Sequence, residues 1–132
     1  MTERHPPGPP PHSRPAERIS TPVITVNLES ELKALRDSAS YRRNDHASAT
    51  IVNRPGLGAV LIALPKGGHL AEHRTARPIM LRVLEGRIRV SLEKRDIEMA
   101  RGDLTALAPN LRHEVSGLED SAFLLTMGGE TD

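Results

Sequence analysis

From about Ser48 onward the chain is a series of short β-favouring runs separated by turn residues. Thr50–Val52 and Ala59–Leu64 are bounded by Pro55-Gly56 and by Pro65-Lys66-Gly67-Gly68. Ile79–Leu84 is followed by the turn Glu85-Gly86 and then by Arg87–Leu92, where Ile88 and Val90 alternate with Arg87 and Arg89. That alternation predicts a strand with one buried and one wet face. Ile97–Met99, Leu104–Ala108, His113–Val115 and Ala122–Met127 continue the series, with turns at Arg101-Gly102-Asp103, Pro109-Asn110 and Gly117. Many short strands at this spacing predict an antiparallel all-β sandwich or barrel.

The pattern changes upstream. Leu28, Leu32 and Leu35 recur at helical spacing, and Glu29–Asp37 reads as one short helix. Its acids Glu29 and Glu31 lie at the positive end of the helix dipole, and Lys33 and Arg36 lie towards the negative end. Seven of the eleven prolines fall in residues 1–22. Proline removes backbone donors and fixes φ, so a disordered or extended tail is expected there. The expected organisation is a tail over 1–22, an extended segment and helix over 23–47, and a barrel over 48–128.

Composition narrows the chemistry. The 132 residues suit one domain. Without cysteine there is no disulfide, thiolate ligand or thiol nucleophile. A net charge of +1 and only Tyr41 and Phe123 as aromatics argue against nucleic-acid binding, which needs basic patches or stacking platforms. No run approaches a membrane span and the N-terminus has no signal-like apolar region, so a cytoplasmic protein is expected. There is no Gly-x-Ser-x-Gly elbow and no phosphate-cradling loop.

Two segments resemble the paired motifs of the cupins. In the first, Gly67 is followed after five residues by His73, and Gly86 closes the segment within Val83-Leu84-Glu85-Gly86. In the second, Gly102 is followed after five residues by Ala108-Pro109-Asn110, then His113 two residues on, with Gly117 at the motif's last position. Asn110 stands where the motif has glycine, and asparagine tolerates the left-handed turn needed there. The resemblance runs from about Ile51 to Met127. It implies a double-stranded β-helix, or jelly-roll, barrel of the kind that often dimerises.

It also implies a metal site held by two histidines and a glutamate from the first motif and one histidine from the second. This chain keeps His73 and His113 but has Thr75 and Ile79 at the other two positions. His69 offers a compensation. It has the same parity as His73 and Thr75, so in a regular strand all three face the interior. His69, His73 and His113 could then hold Zn, Fe, Mn or Ni.

Ile79, Leu81, Val83 and Phe123, with Ile88, Val90 and Leu125, are expected to line the barrel. Either they are ordinary core, or they wall a ligand pocket with Thr75, His73 and His113 as its polar groups. Arg74, Arg77, Arg82, Arg87 and Arg89 form either a solvated face or the source of one arginine at the mouth for an anion. Outward Met80 and Leu84 call for cover, which a second copy of the chain in a homodimer would supply. Two functions remain open: a protein that binds a small molecule in its barrel, with a degenerate metal site and no assignable reaction, or a metal-dependent oxygenase or isomerase using three histidines.

Overall fold

A computed structural model describes residues 21–129. The expected tail disorder falls mainly on residues 1–20, outside that range. The described chain runs α1 (Leu28–Arg36), α2 (Ala39–Arg42), then β1 (Ala47–Arg54), β2 (Gly56–Leu64), β3 (His69–His73), β4 (Ile79–Glu85), β5 (Arg87–Leu92), β6 (Asp96–Ala100), β7 (Leu104–Leu107), β8 (His113–Gly117) and β9 (Ser121–Gly129). The strands form a large sheet of order β1-β2-β9-β4-β7 and a small one of order β3-β8-β5-β6, and every pairing is antiparallel. This is the jelly-roll barrel expected from the motifs.

The main core lies between the two sheets. Ile62, Leu64, Ile79, Leu81, Val83 and Phe123 from the large sheet meet Ile88, Val90, Met99 and Val115 from the small one. Along β5 the expected alternation holds: Ile88 and Val90 are fully buried while Arg87 is exposed.

Strand β2 does not alternate, because it is buried on both faces. Ile62 and Leu64 point into the barrel, whereas Ala59, Leu61 and Ala63 belong to a second core beneath α1. That second core also takes Leu32 and Leu35 from the helix, Ala47 and Ile51 from β1, and Ala122 from β9. Alanine at four of these positions lets the helix approach the sheet closely. Burying Leu32 and Leu35 contributes about 3–6 kcal/mol towards holding α1 in place. Asn27 caps the helix by accepting the Ser30 N–H at 2.9 Å. Arg36, in its last turn, donates to Glu85 at the end of β4 over 2.8 Å.

Leu84 departs from expectation. It packs against the helix-side core, so α1 covers it and no second chain is needed. Its parity puts it on the outer face of the large sheet with Met80 and Arg82, and α1 lies over that end of the face. Met80 remains outward and 42% exposed.

Two turns bring the ends of the barrel together. Asn110 has φ 68° and its N–H donates to Thr75 O at 2.7 Å, as the replacement of the motif glycine requires. Gly86 has φ 78°, and a Cβ there would lie 2.3 Å from Asp120 O and 2.5 Å from Ser121 Oγ. Ser121 is fully buried beneath it. Its hydroxyl accepts the Arg87 N–H at 3.0 Å and sits 2.8 Å from Arg87 O and 2.7 Å from Glu119 O, either of which can take its proton.

Candidate functional site

The site forms where β3 pairs with β8. His73 stands directly opposite His113, and their rings meet edge to face with centroids 5.5 Å apart and planes at 81°. The two histidines, forty residues apart in sequence, are therefore neighbours, as the motifs imply.

His113 is 5% exposed. Its Nδ1 lies 3.1 Å from Leu111 O. A carbonyl oxygen only accepts, so Nδ1 carries the proton and Nε2 keeps a free lone pair. His73 is exposed, and its ring makes no hydrogen bond to another described residue.

His69 does not join them. Along β8, His113 and Val115 face the interior while Glu114 and Ser116 face outward. His69 lies opposite Ser116, with Nδ1 3.4 Å from Ser116 Oγ and Nε2 3.7 Å from Glu114 Oε2. Its ring is thus on the outer face of the small sheet. Leu70 pairs with Val115, and the next partners are His73 and His113: three steps on β3 against two on β8. This bulge reverses the parity of β3 between His69 and His73, so the two rings leave opposite faces. Glu72, within the bulge, lies 3.7 Å from Arg112 in an exposed ion pair.

A half-open cavity of about 310 Å³ lies inside the barrel beside the histidine pair. Val60 and Ile62 from β2, Leu70, Ala71 and His73 from β3, His113 and Val115 from β8, and Phe123, Leu125 and Met127 from β9 line it. No charged side chain is among them. Of the pocket residues expected from sequence, Phe123 and Leu125 are in this wall. Ile79, Leu81 and Val83 are instead buried in the packed core of the barrel. Thr75 is also outside the cavity lining; its hydroxyl accepts the Arg77 N–H at 3.2 Å within the turn after β3. Val60, Ile62, Leu70, Ala71, Val115 and Met127 are walls that sequence reasoning did not single out. The run Ala59–Leu64 held a signal for the first two, since Val60 and Ile62 share one parity and bulk while Ala59 and Ala63 share the other.

The arginines near the motifs do not reach into the cavity. Arg77 donates to Gly128 O at 3.0 Å and Met127 O at 3.4 Å. Arg87 and Arg89 bind Glu98 on the outer face of the small sheet, at 3.2 Å and 3.3 Å. The hydrogen bonds from Arg87 and then Arg89 hold the Glu98 carboxyl below its ordinary range. A larger groove beside α1, about 430 Å³ and lined by Leu28, Leu32, Arg82, Leu84 and Arg101 among others, is remote from the histidines.

This donor set does not fit a resident divalent metal of the kind the barrel type implies. Two imidazoles are the only ligating nitrogens at the cavity, and the surrounding wall is aliphatic apart from Phe123 and Met127. Among the described residues no group of three His, Asp or Glu side chains converges. Zinc and iron sites need three or more such donors to compete with water.

Comparison with known proteins agrees with the fold. No curated protein matches the chain. Among solved structures, a conserved protein of unknown function from Streptococcus pyogenes superposes with TM-score 0.63 at 21% identity, covering 68% of this chain and 79% of that one. KdgF from Halomonas sp. gives 0.60 at 21% identity, covering 66% and 82%. A cupin-2 domain protein from Shewanella frigidimarina gives 0.63 at 12% identity, covering 78% and 93%. At these identities the likeness is one of fold. Residues 60–127 match the Cupin domain family, and they hold β3, β8 and both histidines. The chain therefore belongs to the cupin domain family.

Proposed function

We propose that this cupin binds a small, mainly apolar molecule in the mouth of its barrel and does so without a resident metal. The observation that carries the reading is the composition of the cavity: aliphatic and aromatic walls, with the two facing imidazoles as its only polar side chains. An apolar chamber with a few convergent polar groups is the usual make-up of a small-molecule site. Its volume sits at the lower end for such sites, which suits a single ring or a short branched chain.

Saturation-transfer NMR with ethylbenzene tests the reading. Ala71 is exposed at the rim and lines the cavity, so Ala71→Trp closes the mouth without entering the core. Transfer from the protein to ethylbenzene is expected in the native chain and is lost in the variant. No transfer in the native chain refutes the proposal.

A homodimer belongs to the same reading. Leu57, Met80 and Leu104 are 46%, 42% and 59% exposed. All three leave the outer face of the large sheet, on the part α1 does not cover, because their strand partners Gly128, Thr126 and Arg82 lie on that same face. A second copy is the cover proposed for this strip.

A further inference from the structure

Resting on the cavity as the binding site, we infer that its ligand is an uncharged hydroxyl compound, held by donating a hydrogen bond to Nε2 of His113. The argument is one of matching. His113 is almost fully buried and its Nδ1–H is given to Leu111 O. Its remaining ring nitrogen is an acceptor, and a ligand that fills the cavity and shuts solvent away from it must supply a donor or leave it unpaired at a cost in free energy. A ligand in the cavity therefore gains by bringing an O–H.

Charge narrows the class further. The cavity wall holds no arginine or lysine to meet a carboxylate and no acid to meet an amine. Arg112, next to His113, pairs with Glu72, and Arg77 donates to the carbonyls of Gly128 and Met127. An ionised ligand would lose its hydration among Val60, Ile62, Phe123 and Leu125 with no compensating partner. Phe123 and the aliphatic wall take the rest of the molecule.

Three probes of nearly one shape decide it: 4-ethylphenol, 4-ethylanisole and 4-ethylbenzoate, titrated at neutral pH and followed by protein NMR. The phenol is expected to bind about tenfold or more tightly than the anisole, which lacks the donor, and the benzoate is expected to bind weakest. Nitrogen-15 spectra of the imidazoles should show His113 as the Nδ1-protonated tautomer, with its Nε2 resonance moving when the phenol binds. Equal affinity for phenol and anisole leaves the cavity as a binding site but overturns the hydroxyl inference. Tightest binding by the benzoate overturns it too, as does an Nε2-protonated His113. If none of the three binds, the cavity reading and this inference fall together. In His113→Leu, should it fold, the preference for phenol over anisole is expected to vanish.

Discussion

Replacing Ser121 with alanine takes away one hydroxyl from a point where three chain segments meet. In the native fold that hydroxyl accepts the Arg87 N–H and donates to either Arg87 O or Glu119 O. The site is fully buried, so water does not take over these roles. Leaving the Arg87 N–H without its acceptor costs about 1–3 kcal/mol, and losing the donated bond costs about 0.5–1.5 kcal/mol more. Arg87 O still receives the Leu118 N–H at 2.9 Å, so it adds nothing to the loss. The total is about 2–4 kcal/mol, a large share of the 5–15 kcal/mol that typically holds a domain together. Urea unfolding followed by circular dichroism measures it. The midpoint should fall while the slope stays the same, because little surface changes hands. Ser91→Ala, on the outer face of β5, serves as the control and should lie within about 0.5 kcal/mol of native. A Ser121→Ala loss no larger than that of the control refutes the reasoning. Gly86 makes the point sharper, since its missing Cβ is what lets Ser121 sit beneath the hairpin.

Three further outcomes are expected. Calorimetric titration of chelator-stripped protein with Zn(II), Ni(II) and Mn(II) should give no micromolar binding, and stoichiometric heat abolished by His73→Ala with His113→Ala would contradict the two-donor argument. Glu98 has a lowered carboxyl pKa because Arg87 and Arg89 hydrogen-bond it, so its contribution is present above the unfolded value of about 4.3 and is lost as pH falls through the folded one. Glu98→Gln should therefore flatten the acid limb of urea midpoints plotted against pH, most clearly at low salt; an unchanged acid limb counts against the pairing. Met80→Asp with Leu104→Asp should give a monomer by sedimentation at micromolar concentration where the native chain is a dimer, and a monomeric native chain removes the basis for that partner.

Much of the barrel was legible because its signals are local. The alternation of Ile88 and Val90 with arginines, the helix spacing of Leu28, Leu32 and Leu35, and the turn chemistry of Asn110 each act over a few residues. The helix expected over Glu29–Asp37 is observed over Leu28–Arg36. What stayed hidden depends on partners distant in sequence. Strand β3, His-Leu-Ala-Glu-His, has little strand propensity of its own and is largely exposed; its pairing with β8 makes it a strand. The bulge that separates His69 from His73 is an event between two strands, so parity counted along one of them misplaced His69. Leu84 does point outward, but its cover comes from α1, whose docking place on the sheet cannot be read from β4 alone. Pro55-Gly56 read as a boundary before a strand expected over Ala59–Leu64, yet β2 begins at Gly56 because it pairs with β1 and β9 along its length. The histidine pair itself was visible, since both motifs survive around it. The cavity was visible only in part, because six of its walls come from residues that look like any others in a strand.

Strand β2 is a party wall. One side of it faces the ligand chamber through Val60 and Ile62, and the other faces the helix through Leu61 and Ala63. Ala63 is fully buried in the packed core on the helix side, so a bulkier residue there pushes the strand towards the chamber. The chamber would shrink though the new atoms never enter it, so affinity in this protein is set partly by positions that no list of ligand contacts will contain.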